Sequence, residues 1–122
     1  MTTTLAALTN HQVRLAARPE GLPKASDWQH SSEPVSEPAD GGVLVKTLMI
    51  SLDPAMRGWM NEGKSYIPPV GIGEVMRAGG VGVVVASKNA AFKAGDFVSV
   101  GTGVQEYALF AADQIKRSGM FK

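Results

Sequence analysis

A mainly β fold, with closely spaced strands and one or two short helical turns, is what this sequence predicts. Three observations predict it. The 14 glycines and 7 prolines among 122 residues punctuate the chain at short intervals, which favours strands and turns over long helices. Two runs, Val43–Ser51 and Val81–Val85, are almost unbroken in apolar, β-branched residues. Turn residues separate several further short runs at the spacing of an all-β domain. Small barrels and sandwiches both fit this pattern.

The elements follow in order. Gln12–Ala17 reads as a first strand, and Arg18–Ala25, with Pro19, Gly21 and Pro23, as a loop. Trp28–Val35 is a second strand, ending among Pro34 and Pro38. Asp40-Gly41-Gly42 is a turn. Val43–Ser51 alternates weakly, so both of its faces are expected to be covered. Pro54 suits a first helical turn, Asp53 before it suits the N-cap, and Ala55–Met60 supplies about two turns before Asn61-Glu62-Gly63. Ser65–Gly73 is a loop around Pro68-Pro69, and Glu74–Ser87 contains the second strong strand. Asn89–Ala94 connects to a Gly95-Asp96 turn, where Asp96 is expected to hold the turn, and then to a strand over Phe97–Val100. Gly101 and Gly103 break that strand, and Gln105–Phe110 begins the last. The tail, Asp113–Lys122, has few apolar anchors and reads as an edge of the domain.

Composition narrows the function classes. At 44% hydrophobic and 19% charged, the chain has enough apolar residues for one domain with a real core. Twelve basic residues face 11 acidic ones with no like-charge run, so no surface for nucleic acid or anionic membrane is signalled. No cysteine is present, which removes disulfides, thiolate-bound zinc and cysteine nucleophiles and suits a cytoplasmic setting. Met1–Asn10 has neither a basic start nor a long apolar stretch, so no signal peptide or membrane span is read.

Three blocks carry a family resemblance: Ser51-Leu52-Asp53-Pro54-Ala55-Met56-Arg57-Gly58; Ser65-Tyr66-Ile67-Pro68-Pro69-Val70-Gly71-Ile72-Gly73-Glu74-Val75-Met76; and Phe92-Lys93-Ala94-Gly95-Asp96-Phe97-Val98 with Gln105-Glu106-Tyr107-Ala108. In that order, over about Val13–Lys116, the set resembles the amino-terminal region of the zinc-independent prostaglandin reductase/leukotriene B4 12-hydroxydehydrogenase branch of the medium-chain dehydrogenase/reductases. Within it, the bacterial curcumin reductases are most similar. The first two blocks are particular to this branch; the third is shared across the superfamily.

The resemblance implies a GroES-like partial β-barrel with short helical turns, serving as substrate domain over residues 1–122. It also implies a Rossmann domain elsewhere in the complete enzyme and dimerisation through that domain. The implied activity uses NADPH, without metal, to reduce the C=C bond of a small α,β-unsaturated ketone or aldehyde. The groups that polarise the carbonyl are expected beyond Lys122, and residues 1–122 alone are expected to be inactive. Alternatives are a free-standing GroES-like binding module without catalysis and a quinone reductase of the same superfamily.

The residues bear on these expectations. Gly71-Ile72-Gly73-Glu74 stands where zinc-using relatives carry a His-Glu pair, and His11 and His30 read as surface or hydrogen-bonding residues. No Gly-x-Gly-x-x-Gly joins a strand to a helix; Gly79-Gly80-Val81-Gly82 leads into a strand, where Gly80 and Gly82 admit a bend or a close backbone. The main dinucleotide site is therefore expected outside this chain. The turn at Pro54, Ala55, Met56 and Arg57 is the cofactor-facing candidate by resemblance, with Ala55 replacing the family's tyrosine. Arg57 suits a cofactor phosphate or amide, or a pair with a carboxylate such as Asp53. Tyr66, in a Pro-bounded loop, is the substrate-binding candidate through its hydroxyl. Trp28 and Trp59 read as packing residues.

Overall fold

The computed structural model describes residues 8–63 and 67–122. Among them lie six strands, β1 (Thr9–Leu15), β2 (Trp28–Pro34), β3 (Val43–Ile50), β4 (Gly79–Ser87), β5 (Phe97–Gly101) and β6 (Tyr107–Phe110). Two short helices, α1 (Ala55–Trp59) and α2 (Ala112–Ser118), and a 3-10 turn at Ala25–Asp27 complete the description. The fold is mainly β, as the punctuation by glycine and proline requires.

One antiparallel sheet has the order β5-β4-β3-β6, and β1 and β2 form a separate hairpin. Bridges Gln12↔Gln105 and Arg14↔Val75 lay the hairpin against the larger sheet, curving the whole into a partial barrel. A buried polar network sets this join. Asn10 donates to Gln105 Oε1 at 3.0 Å and accepts from the Tyr107 amide at 2.9 Å. Gln12 donates to Gln105 Oε1 at 3.1 Å and to Glu33 at 3.0 Å. Asn10 and Gln12 are buried, so these bonds also remove the cost of dry amides.

Two apolar clusters fill the barrel. One joins Val43, Val45, Val84, Phe92, Val98, Val100, Ile115 and Met120. The other joins Leu15, Met60, Val70 and Met76, with Trp28, Met56, Trp59 and Val104 packed on it. Both tryptophans are thus packing residues, and Trp59 also stacks under the Arg77 guanidinium at 5.3 Å. Gly80 and Gly82 occupy the closest approach of β4 to β3. A Cβ on Gly80 would sit 2.5 Å from Thr102 Oγ1 and 2.8 Å from the Met49 carbonyl, and one on Gly82 would sit 2.5 Å from the Lys46 carbonyl. Asp96 holds its turn by accepting from the Lys93 amide at 2.8 Å.

Four expectations are corrected. The first strand runs Thr9–Leu15, not Gln12–Ala17, because polar Asn10 and Gln12 face inward to Gln105 while Ala16 and Ala17 both donate to the Asp27 carbonyl. β3 is covered on both faces only at Val43–Val45; Leu48 is 48% and Met49 67% exposed. Register shifts at Leu44/Val45 and Thr47/Met49 turn its second half outward. Asp53 does not cap α1: the helix starts from Pro54 with no side-chain cap, and the Asp53 carboxylate accepts from Ser51 Oγ at 2.9 Å. The tail is no loose edge. It forms α2, which buries Ile115, stops at Gly119 (φ 69°), and returns to bury Met120 and pair Phe121 with Ser99.

Candidate functional site

The cleft candidate begins where β3 ends. The Ser51 amide donates to the Gly79 carbonyl at 2.8 Å, so the chain leaves the sheet at a fixed point. Pro54 (φ −56°) then enters the short helix α1, with the Met56 amide donating to the Asp53 carbonyl at 3.0 Å. The Asp53 amide donates to Met56 Sδ at 3.3 Å, and Met56 packs on the cluster around Leu15 and Met76. Pro54 and Ala55 remain exposed. The predicted cofactor-facing residues thus share one turn, with Met56 packed against the core and Pro54 and Ala55 exposed. A cavity of about 470 Å³ lies beside this turn, between Ser51, Asp53, Gly79, Gly80 and Ser99.

Arg57 points elsewhere. Its Nε donates to the Gly21 carbonyl at 3.0 Å, its Nη2 to the Pro19 carbonyl at 2.9 Å, and its Nη1 to Asn61 Oδ1 at 2.6 Å. Three of the five guanidinium N–H donors are therefore used on the protein itself, and none on Asp53. Arg18 makes the reverse stitch, donating from the loop to the Met60 carbonyl at 2.9 Å and the Val70 carbonyl at 2.6 Å. The Val70 amide in turn donates to the Trp59 carbonyl at 2.9 Å. The loop after Leu15, α1 and the segment around Val70 form one stitched unit. Sequence reasoning did not find this unit. Its only signal was two arginines, one inside and one outside a Pro- and Gly-bounded loop.

The segment after Pro68 is held from both sides. Arg77 Nη2 donates to the Pro68 carbonyl at 2.6 Å, and the Gly73 amide (φ 89°) donates to the Leu15 carbonyl at 2.7 Å. Glu74 accepts from the Gly71 amide. Gly71-Ile72-Gly73 is thus a turn closed by its own carboxylate. Tyr66, the substrate-binding candidate, lies outside the described residues. Leu22 (88% exposed), Leu52 (80%) and Ile72 (55%) are large apolar side chains left exposed.

The histidines take surface roles. His11 Nδ1 contacts Glu106 Oε1 while the His11 amide donates to the same oxygen at 3.1 Å. The His11 ring beside it, and that amide, hold the Glu106 carboxyl below its ordinary range. His30 lies in a groove of about 350 Å³ with His11, Thr47 and Met49. Among the described residues, no three His, Asp or Glu side chains gather as a metal set. Nor, among them, is any helix long and apolar enough to cross a membrane.

Residues 11–118 match the family model described as the N-terminal domain of oxidoreductase. The chain is 39% identical over 110 residues to an NADPH-dependent curcumin reductase of Escherichia coli, covering 90% of this chain and 32% of that protein. It is 34% identical over 112 residues to an NADP(+)-dependent 2-alkenal reductase of Nicotiana tabacum, covering 88% of this chain and 32% of the relative. The crystal structure of CurA from Vibrio vulnificus superposes with a TM-score of 0.80 at 46% identity, over 83% of this chain and 30% of that one. The same protein in complex with NADPH gives 0.79 at 44% identity, over 82% of this chain and 30% of that one. The chain therefore spans about a third of the length of these relatives. It belongs to the N-terminal, GroES-like domain family of the medium-chain dehydrogenase/reductase oxidoreductases, in the branch of the curcumin and 2-alkenal reductases.

Proposed function

We propose that this chain is the substrate-side domain of an NADPH-dependent reductase acting on the C=C bond of α,β-unsaturated ketones or aldehydes. The observation that carries the reading is the turn at Pro54–Met56: Pro54 and Ala55 are exposed while half-buried Met56 packs on the core behind them, in a chain of this family. Ala55 adds no bulk there, so backbone and small side chains meet whatever ring lies against the edge. Such an edge suits the nicotinamide end of the cofactor. The pyrophosphate end needs a glycine turn opening a helix, and among the described residues Gly79, Gly80 and Gly82 lie inside β4 instead. The cofactor's main anchorage is accordingly assigned to the rest of the enzyme.

When bound, NADPH supplies the hydride that the β-carbon accepts, with a proton adding beside the carbonyl. This chain's own part is orientation. Pro54, Ala55 and Met56 limit how the ring and the enone stack, and Arg57 fixes that turn from behind. Tyr66, assigned from sequence alone, is proposed to donate its hydroxyl to the substrate carbonyl.

The test is NADPH oxidation by the full-length protein with a series of unsaturated ketones and aldehydes. Met56→Ala is expected to lower kcat/KM by roughly tenfold, the scale of about 1.4 kcal/mol of lost transition-state stabilisation. Calorimetry on residues 1–122 alone is expected to detect no micromolar NADPH binding, since a few contacts do not offset the roughly 4–15 kcal/mol of lost freedom. No oxidation with any unsaturated carbonyl overturns the activity. Micromolar binding by the 122-residue chain overturns the division of labour.

A further inference from the structure

Three glycines stand in β4, and the packing of the sheet accounts for two of them. Side chains on Gly80 and Gly82 would run into the Met49 and Lys46 carbonyls of β3. Gly79 has no such reason. Among the described residues, nothing lies within 4 Å of a Cβ built there, and its φ is outside the left-handed region that favours glycine. A glycine inside a strand also forgoes the packing that a β-branched residue would supply. Directly across the ladder stands Gly101, which brings no side chain either. The space left open is the cavity of about 470 Å³ beside the candidate turn. Gly79 lines it, and so does Val81, two residues on and therefore on the same face of β4. Met49, the β3 partner of Val81, lines it too, as do Ser51 and Asp53 of the turn. The Gly79 carbonyl accepts from the Ser51 amide at 2.8 Å, which ties the glycine to the residue from which the turn departs. A side chain at position 79 would enter this cavity without disturbing the strand.

We propose that Gly79 is a specificity-determining residue: its missing side chain keeps the cavity open for a bulky, mainly apolar substituent of the unsaturated carbonyl substrate. This rests on the reductase reading above and names what that reading leaves open, which substrates are preferred. Met49 and Val81 supply apolar walls, and the unbranched methionine adapts to substituents of different shape. An enone bearing an aryl or branched alkyl group fills the cavity, and the smallest enones do not.

The experiment uses the full-length enzyme, with methyl vinyl ketone as the small enone and benzylideneacetone as the bulky one. Gly79→Ala and Gly79→Val place side chains of increasing size in the cavity. The ratio of kcat/KM for the bulky over the small enone is expected to fall in that order, by roughly tenfold or more in Gly79→Val, the scale on which a pocket discriminates small apolar differences. Met49→Ala, which widens the cavity from β3, should move the ratio the other way. The thermal midpoints of both Gly79 variants should lie no lower than that of the wild type, and their NADPH dissociation constants should stay close to its value. A wild type that reduces no enone sinks the underlying activity. An active wild type whose Gly79→Val variant keeps the original size preference overturns the role of Gly79. So does a loss of NADPH affinity that lowers activity on both enones alike, since the cavity would then hold the cofactor. Gly79→Val melting well below the wild type overturns it as well, because the strand and not the cavity would then require the glycine.

Discussion

Single residues decide how closely β3 and β4 approach. At Gly82 the obstacle to any side chain is the Lys46 carbonyl, 2.5 Å from where a Cβ would stand, with the Val45 side chain alongside. A backbone carbonyl inside a ladder cannot swing away as a side-chain tip can. Gly82→Ala is therefore expected to destabilise the protein by about 1–3 kcal/mol, as overpacking does. Gly79→Ala, with open space around it, is the control and should change little by comparison. Chemical denaturation of both variants checks the contrast. The two positions look alike in the sequence; the difference lies in what the partner strand brings opposite each of them.

At the scale of elements, α2 is the clearest case of structure that local pattern concealed. Its seven residues offer one buried apolar side chain, Ile115, which is too few for a periodic signal. What makes it a helix worth forming is the hole it fills among Val43, Val98, Val100 and Phe92, and that hole exists only after the sheet has formed. Its Gln114 Oε1 accepts from the Ala111 amide at 2.7 Å, and Arg117 pairs with Asp113 at 3.0 Å, small supports for a short helix. Ile115→Ala and Met120→Ala should each cost about 2–4 kcal/mol, measured by thermal or urea unfolding. Costs near zero for both would mean the helix rests on the barrel without filling it. The strands were legible for the opposite reason: runs such as Val43–Val45 and Val83–Val85 carry their burial and β preference in their own composition. The candidate site was legible as a turn, since Asp53-Pro54 and Gly63 mark its ends. The two bonds from Arg57 to the loop were not, because they join residues 36 and 38 positions apart and go to backbone carbonyls, which carry no residue identity.

For the whole molecule, the resolved carboxyl shifts share one direction. Asp27 lies below its ordinary value of 3.8 chiefly because the Lys24 amide donates to it, Asp96 because the Lys93 amide does, and Glu106 because of the His11 ring. A carboxyl with a depressed folded value adds stability that is fully present above its unfolded value and disappears as pH falls through the folded one. The protein should therefore lose stability on acidification beginning near 4.5 and 3.8, the ordinary values of Glu106 and the two aspartates. Asp27→Ala should melt lower than wild type at pH 7, with the gap narrowing towards pH 2. A gap independent of pH would mean that the buried side chain matters for packing and not for its charge.

The join between β1 and the far end of the chain also sets an order in time. Asn10 finds its partner at Gln105, 95 positions later, and Tyr107 closes on Asn10 across 97. At the usual pace of synthesis, about 5–20 residues per second, the first strand is made roughly 5–20 s before the residues that hold it leave the ribosome. Until then Asn10 and Gln12 have no partner at that end of the chain, and Gln12 has only Glu33 of the hairpin, 21 positions on. They make the waiting strand a poor template for sticking to its neighbours. The side chains that later lock the barrel shut are, during that interval, what makes its first strand polar on the face it will bury.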